Sequence, residues 1–244
     1  MNIKPIKNIF ETLRNDFLIQ VEKHNLINDK VFIKLKYLNP LEAIGNPQNQ
    51  DYPILKGKEK MIEANVRGSI GQAFTDEYAN ATYTIGDLLT RPIDSNKQRA
   101  DFIAALNAVY RYLKLCDKTI HCKDFEPREC GEKLLQHVNP KHKVLLIGLQ
   151  PRLLEFISKR QSIRVIDLDR DNIGTKKFDT LVESEEKTEE AMKWCDSMFV
   201  TGSTIVNGTI QKFINQDKPV VFFGVTIAAP AKILNLKTYC PNGR

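Results

Sequence analysis

The chain has 244 residues, 36 Lys and Arg against 30 Asp and Glu, a formal net charge of +6 and five cysteines. That length allows two modest domains, and no run of about 18 apolar residues exists to span a membrane. The opening MNIKPIKNIFETLRNDF breaks its apolar positions with charges, unlike a secretion signal. An odd number of cysteines without disulfide-scaffold density fits a reducing compartment, so the cytoplasm is expected. Basic residues are interleaved with acids instead of forming a stripe, which argues against nucleic acid as a partner.

Ile6, Ile9, Phe10, Leu13, Phe17 and Val21 recur at near-helical spacing and predict an amphipathic helix over 5–23. Residues 31–38, VFIKLKYL, alternate apolar and basic as a half-solvated strand that Asn39-Pro40 ends. Residues 59–67 read as a second strand, and SIGQAFTDEY beyond Gly68 fits either a strand or a loop. Phe102, Ile103, Leu106, Val109, Tyr110 and Leu113 then mark a long helix between Asn96 and Leu115. Strands first and helix after suggest an α+β domain. The string HCKDFEPRECGEKLL is turn-like and then helical, ending near His137 to Pro140.

After Lys143 the order changes to strand 144–148, helix from Pro151, strand 164–168, loop, strand 179–182, helix through Trp194, strand from Ser197, helix Thr204 to Phe213, and strand 219–224. Strands rich in β-branched residues alternating with helices predict a parallel, Rossmann-like sheet with right-handed crossovers. The fold class is therefore α/β, with an α+β domain over 1–138 and a parallel-sheet domain over 139–244.

Ligands of open parallel sheets collect outside the carboxyl ends of the strands. Four strand ends here carry glycine or polar residues: Gly148 with Gln150, Asp167 with Asp169, Thr201 to Thr204, and Gly224 with Thr226. Small residues and the start of the expected helix at 204 offer backbone N–H groups to an anion, with Asn207 and Thr209 as further donors and acceptors. Gly202 would let a ligand approach closely. Ordinary caps and turns explain the same residues. Only one glycine of a G-x-G-x-x-G fingerprint follows the first strand, so NAD is not expected, while Asp167 or Asp169 could accept from a ribose.

Residues 121–130 hold one imidazole, two thiols and several carboxylates, ligand types that suit a metal at a spacing that matches no standard site. His121, Cys122 and Asp124 are the candidate ligands; the alternative is a buried Cys122 or Cys130 beside acidic helix caps. Cys240 could join as a third soft ligand if the tail folds back. Cys116 and Cys195 read as core. Arg67, Gln72, Thr75 and Asp76 around RGSIGQAFTD could form a loop that closes on the second domain. No G-x-S-x-G elbow with a Ser-His-Asp order and no Walker lysine motif appears.

The strings KGKEKMIEANVRGSIGQAFTD, FIAALNAVYRYL, HCKDFEPREC, VLLIGLQPRLLE, RVIDLDRDNIG, VTGSTIVNGTI, FFGVTIAAPAKIL and CPNG, taken together, resemble the heavy-metal chelation family. The resemblance runs from about residue 55 to the end and departs from the family at Ala229-Pro230. It implies an enolase N-terminal-like domain joined to a Rossmann-like domain, with a site in the cleft between them. The expected function is binding of a transition or heavy metal ion, or of a small anionic, metal-bearing ligand, in that cleft. The rival is a transferase or lyase with a nucleotide-like cofactor and Asp167 on its ribose. A non-catalytic interaction module is a third class, and the sequence leaves room for a homo-oligomer.

Overall fold

The computed structural model describes residues 8–35, 59–123, 126–134 and 136–244. Ile6, the strand end at 36–38 with Asn39-Pro40, and Asp124 lie outside the described residues.

The chain is an α/β protein with two sheets. The first is antiparallel, ordered β3-β2-β1-β4, from β1 (Lys30–Leu35), β2 (Lys60–Val66), β3 (Ser69–Thr75) and β4 (Ala81–Thr84). Along β1, Val31 and Ile33 are buried while Lys30, Phe32 and Lys34 are exposed, the period of two that its sequence shows. SIGQAFT, which the sequence left between strand and loop, is a strand paired with β2 from Lys60↔Thr75 to Val66↔Ser69. Helix α1 (Ile9–Lys23) is capped by the Asn8 side chain and buries Ile9, Leu13, Phe17 and Val21. The short α2 (Ile85–Thr90) has too few residues for a periodic signal. A capping box forms it, the Thr84 hydroxyl and Asp87 carboxylate each accepting the other's backbone N–H.

Helix α3 (Asn96–Tyr112) starts on a second capping box, Ser95 with Gln98, and every residue from Ala100 to Tyr110 is buried. Burial all round requires partners on both sides. One side lies on β2 and β3, and the other meets the C-terminal half of the chain.

That half holds the second sheet, ordered β11-β10-β9-β5-β6-β8-β7, from β5 (Val144–Ile147), β6 (Ile163–Ile166), β7 (Lys176–Lys177), β8 (Thr180–Glu183), β9 (Ser197–Thr201), β10 (Val220–Phe223) and β11 (Thr238–Tyr239). Every pairing is parallel except β7 with β8. Without β7, numbering by sequence reads 3-2-1-4-5-6, so the strand order reverses between β5 and β9. Both faces are covered: Leu145 and Ile147 of β5 join the core that includes α1 and α3, while Val144 and Leu146 join a second core with Leu134, Leu153 and Ile157. Those last three residues come from α4 (Glu126–Leu134) and α5 (Pro151–Ser158); α6 (Thr188–Trp194) and α7 (Ala228–Leu234) complete the helices among the described residues.

The structure departs from the sequence reading at two places that matter. The helix expected from Thr204 to Phe213 is two short 3-10 turns, Gly202–Ile205 and Ile210–Phe213. Ile205, Val206, Ile210 and Phe213 are buried at helix-like spacing, but Gly208 at φ +77° breaks the coil between them. The second is α7, which the sequence reading did not identify. Its Pro230 sits in the first turn, where a missing N–H costs nothing, and Asn235 in the left-handed region ends it.

Asn107 of α3 joins the two halves. Its Nδ2 donates to the carbonyls of Gln72, Val225 and Thr226 at 3.0, 3.3 and 3.2 Å, and its Oδ1 accepts from Ala229 N at 2.8 Å. The acceptor thus satisfies one of the four donors that begin α7. Asn107→Ala strands that N–H in the core and is expected to cost about 2 kcal/mol, read as a lower urea midpoint with unchanged m-value. No described helix is long and apolar enough to cross a membrane.

Candidate functional site

The carboxyl ends of β5, β6, β9 and β10 open into a cavity of about 540 Å³ whose opposite wall comes from the first sheet and the segment after α3. It lies where the strand order reverses, the position at which wound sheets take ligands. All twelve strand-end residues proposed from sequence line it: Gly148, Gln150, Asp167, Asp169, Thr201, Gly202, Ser203, Thr204, Asn207, Thr209, Gly224 and Thr226. His121 and Cys122 line it too, with Phe74, Thr75 and Asp76 from the end of β3. Asp124 lies outside the described residues.

Two backbone pairings bring the thiols in. Gln72 N donates to Thr119 O at 3.0 Å, and the Gln72 Oε1 accepts from His121 N at 2.7 Å, so residues 119–121 run along β3. The C-terminal tail then pairs with them, Ile120 and Arg244 exchanging N–H to O bonds of 2.7 and 2.9 Å. The tail does fold back, and Cys240 lines the cavity together with Cys122 and Cys130. His121 Nδ1 lies 2.6 Å from the Cys122 carbonyl, an atom that can only accept. Nδ1 therefore carries a proton in that contact.

Many strand-end polar groups also hold the cavity's own shape. Asp167 accepts from Leu149 N at 2.6 Å, Asp169 N at 2.8 Å and Asn172 Nδ2 at 3.3 Å, which ties the β5 and β6 loops together. Asn207 Oδ1 accepts from Thr209 N and its hydroxyl, Thr204 donates to Thr201 O, Gln150 caps α5, and Thr226 accepts from Phe74 N across the cleft at 3.1 Å. The turn-and-cap explanation thus holds for these atoms. Two arguments from sequence need correction. A four-residue 3-10 turn replaces the helix whose dipole was to hold an anion at 202–204. Gly202 admits protein instead of ligand, since a Cβ there would lie 2.9 Å from Ile227 N and Cβ. Gly148 is similar: at φ +84°, its missing Cβ would meet Thr201 Cγ2 at 2.6 Å.

The residue that sequence reasoning missed is Glu59. It precedes β2, lines the cavity and bonds the side chain of Ser203 on the facing wall. Burial pushes its carboxyl up to about 7, and Asp167, Asp76 and Asp169 add to the rise, while the Ser203 bond opposes it. Nothing in the local sequence marks Glu59, because only tertiary placement turns it toward Ser203. The cavity wall holds six acidic residues, Glu59, Asp76, Asp167, Asp169, Asp171 and Glu185, against the basic Arg170 and Lys212. In a chain of net charge +6, this is an acidic enclave.

The fold and cavity define an α/β protein with a ligand-sized cleft between an antiparallel and a wound parallel sheet. Residues 133–234 match the model of the family DUF364, described as "Putative heavy-metal chelation". The family resemblance read from the motifs is thus shown by that segment. Among solved structures, the chain is similar to a protein of unknown function from the DUF364 family of Pyrococcus horikoshii, with TM-score 0.53 and 15% identity over 90% of this chain and 80% of that one. A second DUF364 protein of unknown function, from Desulfitobacterium hafniense, gives TM-score 0.49 and 11% identity over 72% of each chain. No curated protein matches.

Proposed function

We propose that the interdomain cavity binds a metal ion, or a small molecule that carries one, as a cation. The observation that supports this reading best is the charge of the wall, six acidic side chains against two basic ones, with an imidazole and three thiols among the lining groups. Hard and soft ligand types are both within the cavity. That charge favours a cationic group over the anion expected at Gly202 to Thr204, because carboxylates around an enclosed site raise the energy of an anion there. His121 and Cys122 would approach from the first wall, with Asp169 and Asp76 contributing charge. Among the described residues no three His, Cys, Asp or Glu side chains are gathered as a ready-made ion cage. An ion would therefore complete its shell with water, with ligand atoms of its carrier, or with Asp124. We place the protein in the cytoplasm, whose reducing conditions would keep these thiols able to bind an ion.

The nucleotide reading is weaker because Asp167, its ribose acceptor, already holds two backbone N–H groups and an amide. The test is equilibrium dialysis against cobalt(II), nickel(II) and zinc(II) with elemental analysis. About one ion per chain is expected for at least one metal. His121→Ala with Cys122→Ala, and separately Asp169→Asn, should each weaken binding about tenfold or more, a loss of about 1.4 kcal/mol. Retention of none of the three ions, or unchanged affinity in both variants, would sink the reading.

A further inference from the structure

The cavity's charge and its aromatic surface lie toward opposite ends of the second sheet. From β11 the order across that sheet is β10, β9, β5, β6 and β8, so the lining residues that follow each strand take their places along the cavity in the same order. Beyond β6 and β8 come Asp167, Asp169, Asp171 and Glu185, with Arg170 as the basic residue among them. Glu59 and Asp76 of the facing wall belong with this group, because Asp76, Asp167 and Asp169 are all close enough to disfavour charge on Glu59. Beyond β10 and β11 come Phe223, Gly224, Thr226, Tyr239, Cys240 and Pro241, which bring no carboxylate. Phe74 is held over this end, its N–H donating to Thr226 Oγ1 across the cleft at 3.1 Å. Its ring meets the His121 ring edge-on, with 5.5 Å between centroids. Three strand spacings of about 4.8 Å separate β10 from β6, so the two ends lie about 14 Å apart along the sheet.

We propose that the ligand is an elongated organic carrier, with a metal-bearing cationic head against the carboxylates beyond β6 and β8 and an aromatic body against Phe74 and Phe223. The inference rests on the reading of the cavity as a place for a cation, and adds what carries the ion and which way round it lies. Size supports a carrier. An ion with six waters fills about 180 Å³ at about 30 Å³ for each water, a third of the cavity's volume of about 540 Å³. The space left over is bounded by aromatic side chains, and an apolar body there removes their surface from water. The charge fixes the orientation: at the aromatic end a doubly charged head would lose water without gaining a countercharge, and at the acidic end it meets four carboxylates from one wall.

The experiment is equilibrium dialysis of the whole chain against two nickel(II) complexes, with aquo nickel(II) beside them. One complex holds the ion in a tripodal aliphatic tetramine; the other is the same complex with a single naphthylmethyl arm on a terminal nitrogen. Charge and donor set are equal, so only the aromatic body differs. The armed complex is expected to bind about tenfold tighter, and Phe74→Leu and Phe223→Leu should each cut that advantage to about threefold, the share of one ring. Asp169→Asn should weaken both complexes alike and leave the advantage in place. Circular dichroism of each variant confirms folding. Equal binding of the two complexes, an advantage that survives both leucine variants, or uptake of aquo nickel(II) with neither complex would overturn the carrier and leave the cavity reading standing. Failure of all three forms to bind overturns both.

Discussion

Gly71→Ala is expected to cost about 3 kcal/mol or more, or to leave no folded protein. Gly71 sits in mid-β3 opposite Ala64 of β2, and a Cβ built on it would overlap the backbone N of Ala108 and the carbonyl of Ala104, with Asn107 Cβ at 2.7 Å. These are backbone atoms of α3, so no rotamer change relieves the overlap and the whole helix must lift from the sheet. Lifting α3 also moves Asn107, which holds Val225, Thr226 and Ala229 of the other half. Damage to the first sheet should therefore reach the cavity. Urea unfolding of Gly71→Ala checks the size. Gly68→Ala is the control: nothing lies within 4 Å of its added Cβ, so only its backbone strain at φ +83° remains. Equal losses in the two variants would show that helix contact is not what makes position 71 a glycine.

The two glycines also show what a sequence can disclose. Gly68 and Gly71 look alike in RGSIGQAF, but one closes a turn by its dihedral angle and the other makes room for a helix more than 30 residues away. The parallel strands were legible because both faces are buried, which leaves continuous runs such as VLLI and VVFF. From those strands their carboxyl ends followed, and with them most of the cavity wall. The 3-10 turns at 202–213 were misread as a helix because apolar spacing reports which side chains are buried and not which backbone hydrogen bonds form. Glu59 was invisible because its burial comes from the far wall. The charge of the cavity was hidden in the same way, since six acids spread through 127 positions of a basic chain between 59 and 185 have no local signature.

Glu59→Gln is expected to stabilise the metal-free protein at pH 8 by about 3 kcal/mol and to change little at pH 4. The folded carboxyl titrates near 7 against 4.5 for the free group, because burial and the facing Asp76, Asp167 and Asp169 disfavour its charge. Below about 4.5 both folded and unfolded chains hold the proton, and the position is neutral in either state. As pH rises from 4.5 to 7 the unfolded chain gives up that proton first, so wild-type stability falls across this window. Above 7 the full penalty is in place. Glutamine keeps the shape and can still bond Ser203, yet has no charge to lose. Thermal unfolding in excess chelator should then show curves that coincide at pH 4 and separate to about 6–12 °C at pH 8, using about 2–4 °C per kcal/mol for a chain of this size. A gain of the same size at both pH values would mean that packing, not charge, sets the difference. The same carboxylate that weakens the empty fold is the charge a bound cation would neutralise. Saturating metal should therefore raise the wild-type melting point at pH 8 more than that of Glu59→Gln, narrowing the gap between them. If metal lifts both equally, Glu59 strains the cavity without taking part in what it binds.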